Sequence, residues 1–257
     1  MDMELAGKQA VVTGASKGIG LAIVEALVAE GVSVIAGARH FGALPEGVHA
    51  VPVDLSTAEG AIELIAAAGE AFGGGLDVLV NNVGAVTPRT GGFRSVTDDE
   101  WLATLTLDFL SAVRVTRAAL DLLEARGGGT IVSINSVNAT LADPLVIDYC
   151  TAKAAVASFS KSLAKEVAPL GIRVNTVSPG PVATDLWLGG GGVAESVAKA
   201  VGGDASDVAA GAARQSPTGR FTQPAEVADL VVLLASGRAG NVTGADIVID
   251  GGLIPTH

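Results

Sequence analysis

Residues 9–30 read QAVVTGASKGIGLAIVEALVAE. The first five residues are mostly small or β-branched and predict a buried strand, whereas the apolar pattern after Gly18 predicts a helix. Between them the glycines follow the spacing Gly14-x-x-x-Gly18-x-Gly20. A glycine loop that leads from a strand into a helix turns helix N–H groups toward an anion, so the segment predicts a phosphate-binding turn. An ordinary tight turn is the alternative interpretation of the glycines taken alone.

The same alternation of strand and helix continues along the chain. Further strands are predicted at 32–37, 48–53, 76–82, 130–135, 172–178 and 245–250, and helices at 18–30, 56–72, 98–126, 149–168 and 224–235. Because parallel strands need helical crossovers, we expect an α/β fold with a doubly wound, seven-stranded parallel sheet and helices on both faces. No linker marks a second domain, so residues 1–257 are expected to form one domain. The glycine-rich stretch 183–216 predicts a mobile lid over a site.

Composition limits the classes of function. The 257 residues carry a formal net charge of -11, which disfavours nucleic acid or an anionic membrane as a partner. No uncharged apolar run approaches the ~20 residues that cross a bilayer, so a cytoplasmic protein is expected. The three histidines, His40, His49 and His257, lack the spacing of metal ligands, and no metal is expected. The single cysteine, Cys150, is interpreted as a packing residue, with a nucleophilic role as the alternative.

A hydroxyl, a phenol and an ammonium fall close together in the segment SINSVNATLADPLVIDYCTAK. Tyr149, the only tyrosine of the chain, and Lys153 are four residues apart and therefore share a face if 149–168 is helical. A nearby ammonium favours the phenolate, so we expect Lys153 to lower the pKa of Tyr149. Ser136 precedes Tyr149 by 13 positions. The three side chains predict a site that polarises and protonates a carbonyl oxygen, although Tyr-x-x-x-Lys also occurs on solvated helices.

Taken together, these motifs resemble the short-chain dehydrogenase/reductase family, in the short single-domain branch similar to 3-oxoacyl-carrier-protein reductases. The resemblance covers nearly the whole chain. It rests on TGASKGIG at 13–20, Asp54-Leu55, NNVG at 81–84, Ser136 with Tyr149 and Lys153, PGPVAT at 179–184 and TGADIVIDGG at 243–252. It implies a Rossmann-like domain, a nicotinamide cofactor, hydride transfer to or from a carbonyl carbon, and a homotetramer.

By resemblance, the catalytic residues are Ser136, which would bind the substrate oxygen, Tyr149 as general acid and base, and Lys153, which would hold the nicotinamide ribose. The chain departs from the family at Asp108, where an asparagine often supports a water chain to the lysine. A carboxylate there would pair with Lys153 or accept protons. An aspartate on a helix face with no part in catalysis is the alternative.

The residues after the second strand indicate the cofactor. A site for NAD needs a carboxylate there for the ribose hydroxyls, whereas a 2′-phosphate needs cations. The chain has Ala38 and Arg39, and the family pattern directs Lys17 and Ser16 to the same pocket, so NADP(H) is expected. A surface role for Arg39 and a helix N-cap role for Asp54 are the alternatives. The residues expected to contact the cofactor are Gly14, Ser16, Lys17, Gly18, Ile19, Gly20, Arg39, Asp54, Leu55, Asn82, Val83, Gly84, Tyr149, Lys153, Pro179, Gly180, Val182 and Thr184.

The function expected from these residues is NADP(H)-dependent reduction of a ketone or β-keto acyl group, or the reverse oxidation of a secondary alcohol. Small, apolar residues at 86–93, 141–147 and 183–216 indicate a moderately hydrophobic small-molecule substrate. A binding protein without turnover is the main alternative, which the complete set of Ser136, Tyr149 and Lys153 disfavours. An enoyl reductase is a further alternative, and related enzymes of that class place the tyrosine and lysine farther apart.

Overall fold

The computed structural model describes residues 2–255, and within this range seven strands form one parallel sheet. The strand order is β3-β2-β1-β4-β5-β6-β7. The strands are β1 (Gln9–Thr13), β2 (Ser33–Ala38), β3 (His49–Pro52), β4 (Val78–Asn81), β5 (Gly129–Ile134), β6 (Ile172–Pro179) and β7 (Asp246–Ile249). The doubly wound parallel sheet predicted from the sequence is therefore confirmed.

Helices cover both faces of the sheet. They are α1 (Gly18–Ala29), α2 (Ala58–Ala71), α3 (Asp98–Leu105), α4 (Ser111–Ala125), α5 (Ile147–Val167), α6 (Asp185–Leu188), α7 (Val193–Val201), α8 (Ala205–Gln215) and α9 (Pro224–Ala235). Side chains alternate between faces along each strand. Val12 accordingly packs in a core with α1 and α9, whereas Val11 packs in a second core with α2, α4 and α5.

Most predicted boundaries lie within two residues of the observed ones, with two differences near the site. The predicted helix 98–126 contains a π-helical turn, Thr106–Leu110, between α3 and α4. Such a turn accommodates an extra residue and often marks a functional site. Asp54 does not cap α2, because Thr57 is the N-cap and accepts a hydrogen bond from the Gly60 N–H at 3.0 Å. Asp54 accepts one from the Ser56 N–H instead.

The strand order places the candidate site. Connections leave β1 and β4, the two central neighbours, in opposite directions, and a doubly wound sheet opens a crevice at this point, beyond the carboxyl ends of its strands. The predicted lid, 183–216, comprises α6, α7 and α8, which follow the end of β6. Among residues 2–255, no helix is both long and apolar enough to cross a membrane.

Candidate active site

A cavity of about 950 Å³ lies at the carboxyl ends of the strands. One end is formed by the glycine loop after β1, and the other by Ser136 and Tyr149. The segment after β6 and the lid helix α6 form part of the wall between these ends. The topology therefore brings the phosphate-binding motif and the candidate catalytic motif, which are more than 100 residues apart in the chain, into one cavity.

Asn82 fixes the glycine loop through two hydrogen bonds. Its Nδ2 donates hydrogen bonds to the carbonyl oxygens of Thr13 and Gly14, at 3.1 and 3.0 Å. Gly14 has a φ of +61°, which favours glycine. A Cβ on Gly20 would lie 2.2 Å from the Gly14 carbonyl oxygen, so only glycine lets α1 begin this close to the loop. The loop geometry therefore requires glycine at both positions.

The start of α1 offers its backbone to a ligand. Within the described part of the chain, no side chain caps this terminus, and the first turn contains no acidic residue. The first N–H groups of a helix are unpaired within the helix and carry a partial positive charge, which suits a phosphate. A Cβ on Gly18 would lie 3.3 Å from Thr184, so the space beside the loop is narrow. These features fit the pyrophosphate of a nicotinamide dinucleotide.

Arg39, Lys17 and Asp54 line the other side of this cavity end. Arg39 is exposed directly after β2. The pKa of Asp54 is lowered, first by the hydrogen bonds from Ser56 and more weakly by the positive charge of Arg39. Lys17 Nζ lies 3.8 Å from a carboxylate oxygen of Asp185 in α6, and both side chains are mostly exposed. Two cations, Arg39 and Lys17, therefore line this end of the cavity.

At the catalytic end, Ser136 is buried at the end of β5. Its Oγ accepts a hydrogen bond from the Asn138 N–H at 3.1 Å and donates one to Asn138 Oδ1 at 3.3 Å. Asn138 Nδ2 in turn donates to the Leu141 carbonyl oxygen. Asn138 thus fixes the Ser136 hydroxyl at the cavity wall, and the sequence interpretation did not identify it.

Tyr149 and Lys153 share one face of α5, as their spacing predicted. Lys153 Nζ lies 5.5 Å from the centre of the Tyr149 ring and donates a hydrogen bond to the Ile134 carbonyl oxygen at 3.1 Å. The ammonium is buried. Burial lowers the pKa of Lys153, and the negative charge of Asp108 acts against this decrease.

Asp108 lies in the π-helical turn, buried behind Gly84. Its Oδ1 accepts a hydrogen bond from the Ala85 N–H at 3.0 Å. A Cβ on Gly84 would lie 2.7 Å from Asp108 Oδ1 and 3.4 Å from Lys153 Nζ, so both groups approach the same glycine. Burial raises the pKa of Asp108 to about 6, although Lys153 and the Ala85 N–H act in the opposite direction.

The expected decrease in the pKa of Tyr149 is wrong for this structure. Burial raises the pKa of the phenol well above its usual value, and the negative charge of Asp108 raises it further. The neighbouring Ser136 hydroxyl has the opposite, smaller effect. The physical reason is that the sequence reveals the lysine four residues away but not the loss of solvent around the phenol or the nearby carboxylate.

The cavity brings together most of the residues predicted for the site. Its lining includes the predicted residues Gly14, Ser16, Lys17, Gly18, Ile19, Arg39, Asp54, Leu55, Asn82, Val83, Gly84, Ser136, Tyr149, Lys153, Pro179, Gly180, Val182 and Thr184. Gly20 and Asp108 do not line the cavity. Gly20 packs against Gly14, and Asp108 packs against Gly84, and both of these glycines line it. Residues that the sequence interpretation missed include Asn138 and Leu253, which also line the cavity.

The substrate end of the cavity is mostly apolar. It is lined by Val86, Leu141, Leu145, Val146, Leu186, Trp187, Val193 and Ala212, with Asn138 and Gln215 as uncharged polar groups and Asp143 as a carboxylate. Among residues 2–255, the lysines and arginines that line the cavity are Lys17, Arg39 and Lys153. All three were assigned to the cofactor from the sequence.

In the described part of the chain, no group of three or more His, Cys, Asp or Glu residues has a geometry that could hold a metal ion. His257 lies outside the described residues. Cys150 is buried, its Sγ accepts a hydrogen bond from the Asp143 N–H at 3.3 Å, and burial raises the pKa of its thiol. A raised pKa disfavours the reactive thiolate, in agreement with a packing role.

Comparison of the sequence with known proteins identifies oxidoreductases. Residues 14–254 match a family described as Enoyl-(Acyl carrier protein) reductase. The chain is 36% identical to the 3-oxoacyl-[acyl-carrier-protein] reductase FabG of Salmonella typhimurium, over 98% of this chain and 99% of that protein. It is 34% identical to the short-chain reductase protein NovJ of Streptomyces niveus, over 95% of this chain and 92% of that protein.

Solved structures give the same result. L-sorbose reductase from Gluconobacter frateurii, complexed with NADPH and L-sorbose, superposes with a TM-score of 0.90 at 35% identity, over the whole of both chains. Ligand-free aldohexose dehydrogenase from Thermoplasma acidophilum superposes with a TM-score of 0.90 at 30% identity, over 100% of this chain and 98% of that one. The likeness therefore extends over the complete fold.

Proposed function

Because the chain belongs to the short-chain dehydrogenase/reductase family, we propose that it is an NADP(H)-dependent reductase of a ketone or β-keto acyl group. The observation that carries this proposal is the single cavity in which Ser136, Tyr149 and Lys153 lie opposite the glycine loop. Bound NADPH would supply the hydride to the carbonyl carbon. The same residues would serve the reverse oxidation of a secondary alcohol.

The catalytic residues act on the carbonyl oxygen. Tyr149 donates its phenolic proton to this oxygen as negative charge develops there, and its raised pKa keeps the phenol protonated at neutral pH. The Ser136 hydroxyl binds and orients the same oxygen. The buried Lys153 ammonium holds the cofactor ribose and provides positive charge beside Tyr149.

Asp108 is assigned to proton supply. It lies close to Lys153 and has a pKa of about 6, so it changes charge near physiological pH. We place it in the relay that returns a proton to Tyr149 through Lys153, where the family often has asparagine. The hydrogen bond from Ala85 keeps its carboxylate turned toward Gly84.

The preference for NADP(H) rests on Arg39 and Lys17, which line the cavity where β2 and the glycine loop end. Their charges favour a 2′-phosphate over a ribose hydroxyl. L-sorbose reductase, the similar structure described above, is itself complexed with NADPH.

The substrate is assigned as an uncharged, largely apolar ketone or thioester. The cations that line the cavity are all engaged in the cofactor assignment, so none is left to pair with a carboxylate or phosphate beside the reacting carbon. Burying an anion without a partner is unfavourable. The mostly aliphatic substrate end instead gains free energy by covering apolar surface.

Reduction of an enoyl thioester is the second candidate, since the description of the matching family names that activity. The one-turn spacing of Tyr149 and Lys153 on α5 disfavours it. A comparison of an acetoacetyl thioester with a crotonyl thioester separates the two candidates, because only the first has a keto group at the reacting carbon.

The test is NADPH oxidation with a panel of uncharged ketones, quinones, β-keto thioesters and enoyl thioesters. Tyr149→Phe should lower kcat by about 10²–10⁴-fold while retaining NADPH binding, since only the transferable proton is lost. Ser136→Ala should also lower kcat, whereas Ser158→Ala, on the exposed face of α5, should not. Equal turnover of Tyr149→Phe and wild type would refute the mechanism, and no turnover with any carbonyl would favour a binding protein.

We further assign residues 1–257 to one domain, 183–216 to a lid, and the assembled protein to a homotetramer. The lid helix α6 already touches the cofactor end of the cavity through Asp185 and Lys17. The long helices α4 and α5 and the edge strand β7 are the surfaces proposed for contacts between subunits.

A further inference from the structure

A cluster of polar and charged side chains with a buried ion pair at its centre lies beside the helix α5 that carries Tyr149. We call it the Arg89 cluster, and it consists of Arg89, Glu100, Thr104 and Asp148. Arg89 donates from Nε and Nη2 to Asp148 Oδ2, at 3.1 and 2.5 Å, and from Nη1 to Glu100 Oε1 at 2.8 Å. Thr104 Oγ1 donates to the same Asp148 oxygen at 2.7 Å. Three donor atoms thus converge on one carboxylate oxygen.

The cluster connects three elements at the residue before Tyr149. Asp148 is in the first turn of α5, Glu100 and Thr104 are on α3, and Arg89 is in the loop after β4. The Arg89 N–H also donates to the Leu145 carbonyl oxygen. The side chains of Arg89 and Asp148 are only 10% and 2% exposed, so the pair is shielded from solvent. Solvent screening, which weakens surface ion pairs, is therefore small here.

Asp148 is electrostatically coupled to Asp108. Burial raises the pKa of Asp148, but the hydrogen bonds from Arg89 and Thr104 outweigh burial, so its pKa is lowered. The negative charge of Asp148 contributes to the raised pKa of Asp108, and Asp108 in turn raises the pKa of Tyr149. Two buried carboxylates are thus balanced by two buried cations, Arg89 and Lys153.

The other charged groups around this pair are few in the described residues. Glu100 is the third carboxylate, and its side chain is 44% exposed. On the remaining side of α5, the Cys150 thiol contacts the backbone of Asp143. Removal of the Arg89 charge alone would leave Asp148 as an uncompensated charge near Asp108 and Tyr149.

We propose that Arg89 is a positioning residue for the reaction, which holds Asp148 so that Tyr149 is fixed at the cavity wall and partly compensates the charge of Asp148, so that its effect on Asp108 stays small. This inference rests on the proposed function. Arg89 touches neither substrate nor cofactor in this assignment, and it acts through Asp148. A purely structural role would predict a loss of stability without any charge-dependent effect.

The test compares Arg89→Met, Asp148→Asn and the double variant, with Arg94→Met as the control on an exposed arginine of the same loop. Arg89→Met should lower kcat for carbonyl reduction by about tenfold and move upward, by roughly one pH unit, the limb of the kcat profile that reports the ionisation of Asp108. Asp148→Asn leaves Arg89 uncompensated and should move the limb downward. The double variant should return it to the wild-type position, and Arg94→Met should not move it.

A measurement without turnover separates this inference from the proposed function. In protein labelled with ¹³C at the aspartate side-chain carboxyl, the Asp108 signal, assigned by its loss in Asp108→Asn, should titrate higher in Arg89→Met and lower in Asp148→Asn. The inference would be overturned if neither the titration of Asp108 nor the limb of the kcat profile shifts in the single variants. It would also be overturned if both lie no closer to their wild-type positions in the double variant than in Arg89→Met. Shifted titrations in a protein that reduces no carbonyl would instead leave the coupling intact and remove only its catalytic role. Because Asp148→Asn shifts in the opposite direction, the test survives if Arg89→Met fails to fold.

Discussion

Tyr149 is surrounded by groups with opposing effects on its proton. Burial and the charge of Asp108 favour the protonated phenol, whereas the Ser136 hydroxyl favours the phenolate. The protonated form suits the donation of a proton to a ketone, and it is unfavourable for accepting a proton from an alcohol. Under the proposed function, this balance suits Tyr149 to the donation of a proton at neutral pH.

Asp108→Asn should shift the pH dependence of alcohol oxidation. Loss of the negative charge lowers the pKa of Tyr149, so the alkaline rise in kcat/KM should move down by roughly one pH unit. Cofactor affinity should be unchanged. Asp121→Asn, on the exposed face of α4, is the control. An unmoved alkaline limb would exclude Asp108 from the electrostatics of the site.

Asp108 should also make folding stability depend on pH. Its pKa is 3.8 in the unfolded reference and about 6 in the folded protein, so the folded state binds more protons between these values. Its contribution is complete below about pH 4 and is lost as pH rises through 6, by about 3 kcal/mol. Urea unfolding of wild type and Asp108→Asn should reveal this difference in slope, and parallel curves would contradict it.

Arg39→Asp should weaken NADPH use relative to NADH. The new carboxylate repels a 2′-phosphate and accepts hydrogen bonds from a ribose hydroxyl, so the ratio of kcat/KM values should fall about 10–100-fold. Arg94→Met, far from the glycine loop in sequence, serves as the comparison. If the cofactor ratio does not change, Arg39 is a surface residue.

At the scale of elements, the continuous helix from α3 to α4 shows what the sequence did and did not predict. The apolar pattern predicted a helix over 98–126, yet the π-helical turn at Thr106–Leu110 has no local signature. That turn places Asp108 behind Gly84. The strand-loop-helix at 9–30 was predictable because its glycines are required by contacts within the segment. The pairs Ser136–Asn138 and Arg89–Asp148 were not, because they depend on the detailed packing of a loop and on two segments 59 residues apart.

The proposed lid contains a tryptophan in helix α6 that would report its closure. Trp187 packs against Phe221, with ring centres 5.5 Å apart, and lines the cavity. In a Trp101→Phe background, the emission of Trp187 should change when NADP⁺ and an uncharged alcohol bind, as the lid covers them. Emission that is the same in free and bound protein would argue against closure by this helix.

At the scale of the whole molecule, pairing between strands that are distant in the sequence brings the glycine loop and the catalytic residues into one cavity. The family resemblance anticipated the fold because its motifs occur in the correct order along the chain. The electrostatics could not be anticipated in this way, because burial is a property of the assembled molecule. The proposed contacts between subunits also depend on the assembled molecule. Val248 is exposed on the edge strand β7, which is one of the surfaces proposed for these contacts.

Sedimentation should give a mass near four times the 25.4 kDa of one chain. Val248→Glu introduces a charge on β7 and should produce a smaller assembly, since burying an unpaired charge is costly. Val201→Glu, at an even more exposed position in α7, is the control and should not change the mass. A monomeric wild type would contradict the tetramer, and equal masses for both variants would contradict a subunit contact at β7.

The phenol at the catalytic end of the cavity belongs to the one tyrosine in the chain. Any ultraviolet difference signal of a tyrosinate must therefore originate at Tyr149, because no other tyrosine can contribute to it. Optical spectroscopy thus has a built-in, atom-specific reporter here, which would let ionisation be followed directly as ligands are added.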